Sequence, residues 1–166
     1  MQVVFIRHAS AEASADGGDA KRELTRHGKE EAHATARGIK LLGVRLDVVM
    51  TSPLTRARQT AEIVAKVHKG ATVVVDADLA PADATAVMRR LRELQNENIG
   101  AVALVGHAPT LDECLARVAA GVHSIGTSFS KAGAACVLLG ADAANGKAEL
   151  IWYLHRKHMA MLASQE

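Results

Sequence analysis

The sequence predicts an α/β fold: a three-layer α/β/α sandwich on a mostly parallel sheet, with a hairpin added at the C-terminal end. Three observations predict it. Continuously apolar runs such as Val3-Val4-Phe5-Ile6 and Val102-Ala103-Leu104-Val105 suit parallel strands buried on both faces. Segments of helical periodicity alternate with such runs, in the order β-α-β-α-β-α-β-α-β-β. Two of the runs end in a histidine, at Arg7-His8-Ala9 and Gly106-His107-Ala108. In open α/β sheets the carboxyl ends of the strands are where ligands bind. If the two strands are neighbours, His8 and His107 stand side by side at that edge.

The elements follow in order. Residues 2–6 form the first strand, and residues 7–21 a polar loop whose Ala-Asp-Gly-Gly-Asp segment (15–19) is exposed, flexible turn chemistry. A helix starts from Thr25, whose hydroxyl caps it. It buries Ala32, Ala36, Ile39 and Leu42 on one face and stops at Gly43. Residues 46–50 are the second strand. Ser52-Pro53 reads as a cap followed by proline at the first helical position, opening a helix through Val67. Residues 71–75 make a third strand and residues 82–94 a third helix, with Val87, Leu91 and Leu94 inward and Arg89, Arg90 and Arg92 on a solvated face. Residues 101–105 are the fourth strand, followed by a helix from near Pro109 and a loop over 121–131. Residues 134–139 and 149–154 are two strands joined through Asn145-Gly146, a hairpin-type turn. No linker interrupts this pattern, so residues 1–166 read as one domain.

Composition narrows the function. Aromatic residues are only 2% of the chain, which removes the stacking platforms of single-strand nucleic-acid binders. A formal net charge of +2 does not describe a protein that coats polyanions. No apolar run approaches the roughly 20 residues of a membrane span, and no secretory signal opens the chain. Cys114 and Cys136 lie in apolar stretches without metal-ligand spacing and read as buried thiols in a reducing compartment, so the expected location is the cytoplasm. No nucleic-acid or membrane partner is expected.

Arg56 joins the two histidines. It falls near the N-terminus of the second helix, where a cation opposes the helix dipole unless an anion sits there too. Arg58 lies about 200° further round that helix and points to solvent, whereas Arg56 shares a side with Gln59 and Thr60. With Arg7, the set makes a site for a tetrahedral oxyanion: an imidazole to attack phosphorus in line, guanidiniums to take up charge on the equatorial oxygens. His27, His33, His68, His123, His155 and His158 read as surface or structural. No Walker loop, G-x-G-x-x-G, H-E-x-x-H or G-x-S-x-G motif is present, and no residue cluster suits a metal, so no cofactor is expected.

Val4-Phe5-Ile6-Arg7-His8-Ala9, Ser52-Pro53-Leu54-Thr55-Arg56-Ala57-Arg58-Gln59-Thr60-Ala61 and Val105-Gly106-His107-Ala108-Pro109 resemble, in order, three motifs of the histidine phosphatase (phosphoglycerate-mutase-like) superfamily. The short length and Arg22-Glu23-Leu24-Thr25-Arg26-His27-Gly28 most resemble its SixA-type phosphohistidine phosphatases. The resemblance implies that His8 is the nucleophile and becomes transiently phosphorylated. It implies too that Arg7, Arg56 and His107 line the phosphate pocket, with Arg22 adding positive charge from the loop.

Two positions depart from the family pattern. Ala9 replaces its usual glycine, which would strain the chain if the backbone there needed positive φ. Larger members also carry an acidic proton donor in an insertion after the third strand. Here only residues 76–83 separate strand from helix, offering Asp76, Asp78 and Asp83. A phosphohistidine substrate fits that absence, because its leaving imidazole needs less protonation than an alkoxide. The expected activity is therefore metal-independent hydrolysis of a phosphorylated histidine-containing protein, such as a phosphotransfer domain, in signalling. The alternatives are a phosphatase for a small phosphorylated metabolite and a non-catalytic phosphate- or phosphoprotein-binding module.

Overall fold

A computed structural model of the chain describes residues 1–80, 84–97, 99–140 and 148–165. The expected turn at Asn145-Gly146 and the candidate donor Asp83 lie outside the described residues, as does the side chain of Asp78.

Six strands form one sheet: β1 (Gln2–Arg7), β2 (Val48–Thr51), β3 (Thr72–Val75), β4 (Ala101–Gly106), β5 (Ala134–Leu138) and β6 (Glu149–Leu154). Their order is β3-β2-β4-β1-β5-β6. The pairs β2–β3, β2–β4 and β1–β4 are parallel, while β5 runs antiparallel to both β1 and β6. The fold class read from the sequence is therefore the observed one, including the antiparallel C-terminal pair.

Strand alternation splits the core into two layers. On one face Val3, Phe5, Val102, Leu104 and Val137 pack against Val87, Leu91 and Leu94 of α3 (Ala84–Asn96) and Leu111, Leu115 and Val118 of α4 (Thr110–Ala120). On the other, Val4, Ile6, Val49, Ala103 and Cys136 meet Ala36 and Ile39 of α1 (Arg26–Leu41), Ala57, Ala61 and Val64 of α2 (Thr55–Val67) and Met159 of α5 (Arg156–Ala163). Small residues on α1 and α2 bring those helices close to the sheet. Gly38 brings α1 close to α5, since a Cβ there would meet the Met159 sulfur at 2.8 Å.

Most helix ends follow the sequence. Thr25 caps α1 by accepting the Gly28 amide at 2.9 Å, and Gly43, at φ +82°, follows its C-cap. Two features do not follow it. Ser52 is no cap: α2 starts only at Thr55, and Pro53 lies ahead of the helix. The Ser52 hydroxyl makes its short contact elsewhere and keeps only a 3.4 Å contact with the Leu54 amide. Nor did the sequence announce α5. It carries no Ser, Thr, Asp or Asn cap, and its start is held by His155 and His158, the latter accepting the His155 amide at 3.2 Å. Its buried residues are Met159 and Ala163 alone, too few to print a periodic pattern.

Candidate active site

β1 and β4 are paired, with Arg7 opposite Gly106, so their next residues emerge together. The His8 and His107 rings lie 4.9 Å apart. β2 sits on the other side of β4 and delivers Ser52 to the same edge, where its hydroxyl is 2.8 Å from His107 Nε2. Arg56 comes from the first turn of α2, one position inside the helix start, and is buried. Arg58 is exposed, as its helical phase requires.

The environment fixes the protonation of both imidazoles. Burial pushes His8 down to about 3; the Ala9 carbonyl opposes this, while His107, Arg56 and Arg7 add to it. Burial also pushes His107 down to about 4, helped by Arg56 and Arg7 and opposed by Asp19. Both rings are neutral at pH 7. His8 Nδ1 lies 2.8 Å from the Ala9 carbonyl oxygen, which can only accept. The proton therefore sits on Nδ1 and the lone pair on Nε2, the state a nucleophile needs.

The arginines are held from behind. Arg7 Nη1 donates to the Phe129 carbonyl. Arg56 Nη1 and Nη2 donate to the Asp19 carbonyl oxygen and carboxylate, at 2.8 and 3.0 Å. In both, Nε is buried without a hydrogen-bond partner among the described residues. The charges of both guanidiniums act on both imidazoles, and two cations gathered there suit an oxyanion, which accepts from guanidinium edges. Arg22 reaches this arrangement only through others: Nε donates to the Glu12 carbonyl at 2.6 Å and Nη1 to the Asp19 carboxylate at 2.7 Å. Asp19 thus bridges Arg22 and Arg56, and both guanidiniums hold its carboxyl below the usual range.

A second ring of contacts fixes the loop after β1. The Ala9 amide donates to the Thr60 hydroxyl at 3.2 Å and the Ser10 amide to Glu31 at 2.9 Å. The Glu31 carboxylate also pairs with Arg156 of α5. Gly28 lies so close that a Cβ would fall 1.9 Å from the Ser10 carbonyl oxygen. Ala9 does not need positive φ; Ala132, at 56°, is the one non-glycine residue with that conformation among those described. The family's glycine is thus replaced without backbone strain.

Ser52, Asp19, Glu31 and Thr60 are contacts that sequence reasoning missed. Ser52 carried a signal: like His8 and His107, it is a polar residue directly after an apolar strand. Asp19 carried none, lying in a polar segment read only as turn chemistry. Of the candidate donors, Asp76 pairs with Arg90 at 3.5 Å. The other histidines are structural or superficial as expected. His68 is buried against the Ala36 carbonyl at 3.0 Å. Cys114 and Cys136 are buried and outside any disulfide, and burial pushes the Cys136 thiol up to about 11. No group of three or more His, Cys, Asp or Glu able to hold a metal occurs among the described residues, and no helix there is long and apolar enough to cross a membrane.

The sequence matches the histidine phosphatase superfamily (branch 1) over residues 3–138. The chain belongs to that superfamily. It is 32% identical over 123 residues to the phosphohistidine phosphatase SixA of Escherichia coli K12, covering 73% of this chain and 76% of the relative. It is 35% identical over 135 residues to an uncharacterized protein of a Picosynechococcus strain, covering 80% and 82%. The solved structure of the protein histidine phosphatase SixA complexed with tungstate superimposes with a TM-score of 0.83, at 28% identity and 96% and 99% coverage. The chain is a SixA-like phosphatase by family and fold.

Proposed function

We propose that this protein is a metal-independent phosphatase that hydrolyses protein phosphohistidine through a phosphohistidine intermediate on His8. One observation supports the reading: a neutral His8 with its lone pair on Nε2 lies beside two guanidiniums, Arg7 and Arg56, whose charges act on its ring and whose buried Nε groups lack partners among the described residues. The SixA likeness, and the tungstate held by that relative, support the same phosphoryl site here.

In the first step Nε2 attacks phosphorus in line, the P–N bond to a substrate imidazole already protonated on its other ring nitrogen breaks, and that imidazole keeps the proton and leaves neutral. Arg7 and Arg56 carry the charge on the equatorial oxygens, and His107 lines the same pocket. The positive charge arriving on the His8 ring is shared with the Ala9 carbonyl through Nδ1–H. Water then attacks phosphorus, the P–Nε2 bond breaks, and dihydrogen phosphate departs with both water protons. The arginines supply the positive charge that a divalent cation supplies elsewhere, so no step needs a metal. The short 76–83 connection supports an open site that admits a side chain on a protein surface. The extent of the SixA match supports one domain over residues 1–166, and two buried cysteines outside any disulfide support action in the cytoplasm.

The test is phosphate release from a phosphohistidine-bearing phosphotransfer domain against a panel of small phosphate esters. A higher kcat/KM for the protein substrate is expected. Preference for one metabolite would overturn the substrate assignment, and binding without turnover of any of them would overturn the enzyme assignment.

A further inference from the structure

Arg7 extends from the end of β1 toward a stretch, 122–129, that forms neither helix nor strand. Its Nη1 donates to the carbonyl of Phe129. The amide of the same Phe129 donates to Asp112 Oδ1 at 2.9 Å. The Phe129 ring is buried and lies 5.0 Å from Tyr153 of β6. The residue is therefore gripped at its amide, its carbonyl and its ring, and the carbonyl grip falls on a guanidinium of the candidate pocket. Asp112 stands in the first turn of α4, on the element that begins just after His107. It is partly buried, and the positive charge of Arg7 acts on its carboxyl, opposing the upward push of burial.

We propose that Asp112 is a positioning residue for phosphoryl transfer, holding the Arg7 guanidinium in place through Phe129, whose amide it binds and whose carbonyl Arg7 binds. It rests on the reading that Arg7 binds the phosphoryl group. The amide and the carbonyl of Phe129 belong to successive peptide planes that meet at its Cα, so pinning the amide and burying the ring fixes that Cα and restricts how the carbonyl plane can turn. Releasing the amide frees the residue to shift, so the guanidinium bonded to its carbonyl loses its anchor without losing its charge. Asp112 touches neither substrate nor reacting atoms in this scheme. Glu113, in the same turn, is the natural contrast: its carboxylate is spent on Arg117 and His123, at 2.6 and 3.1 Å.

The test is a double-mutant cycle on kcat/KM and on competitive inhibition by inorganic phosphate. Asp112→Ala is expected to lose about tenfold in both, the scale of one hydrogen bond made to a charged group. Asp112→Asn keeps an oxygen that can accept the Phe129 amide and should stay within about threefold of wild type. In an Arg7→Ala background, Asp112→Ala should change neither quantity further. Glu113→Ala removes a first-turn carboxylate of α4 and should leave both unchanged. If Asp112→Ala does not fold, Asp112→Ser carries the test, since serine suits a helix start but does not reach the Phe129 amide.

Equal losses with and without Arg7 would overturn the proposal, as would an Asp112→Ala enzyme of wild-type kcat/KM and phosphate affinity. So would an Asp112→Asn loss as large as that of Asp112→Ala. If Arg7→Ala itself proved harmless, the fault would lie in the assignment of the phosphoryl site.

Discussion

Acidification should destabilise this protein earlier and more steeply than its carboxylates alone would dictate, and the two site histidines are the reason. His8 and His107 titrate near 3 and 4 in the folded chain, against about 6.5 when unfolded. Between those values the unfolded chain binds protons that the folded chain refuses. Stability is thus fully present above pH 6.5 and is lost as pH falls toward 4 and 3. At pH 5 both folded rings remain neutral, so the magnitude depends on the unfolded value: about 2 kcal/mol for each histidine, relative to pH 8. Together they remove about 4 kcal/mol, a large part of a typical folding free energy. Buried His68 shifts the same way and adds to the loss. Glu31 and Asp19 sit below the usual carboxylate range and contribute only at lower pH.

The assay is urea unfolding from pH 8 to pH 5 in phosphate-free buffer, because bound phosphate would itself stabilise the fold. His8→Gln should cut the wild-type loss by about 2 kcal/mol. An identical pH dependence in the two proteins would refute the claim that His8 is held neutral by burial.

Three further outcomes are expected. Arg56→Ala should cost about 2–3 kcal/mol of transition-state stabilisation in kcat/KM, while Arg58→Ala, on the exposed side of α2, should be near neutral; the reverse ranking would contradict the placement of Arg56 in the pocket. Gly28→Ala should lower activity and cost about 1–3 kcal/mol in urea unfolding, because the new Cβ must displace the Ser10 carbonyl from 1.9 Å; wild-type behaviour would show that the loop after β1 yields freely. Activity should survive exhaustive treatment with EDTA and gain little from added Mg²⁺; loss restored by one metal would contradict the arginine-based mechanism.

Much of this was legible in the sequence because strand burial and site position share one signal. An apolar run of four residues marks a central strand, and the polar residue that follows it marks the functional edge. That placed His8 and His107, and helical phase separated Arg56 from Arg58. The rest depends on spatial order. That β4 lies between β1 and β2 is set by packing of both sheet faces, and only this order turns Ser52 from a plausible helix cap into a partner of His107. Asp19 reaches Arg56 across 37 positions of chain from a short 3-10 turn, a contact no local pattern encodes. α5 was missed for a related reason: its histidine start and two buried residues leave no periodic imprint, yet Arg156 at its N-terminus pairs with Glu31 and so supports the loop after β1.

The most direct test of the central claim is to trap the phosphoenzyme. The protein is mixed briefly with a radiolabelled phosphohistidine-bearing phosphotransfer domain and quenched in alkali, which spares the acid-labile P–N bond, and the labelled peptide is then identified. Label on Nε2 of His8, absent from His8→Ala together with turnover, is the expected result. Label on any other residue, or near-normal turnover by His8→Ala, would contradict the account.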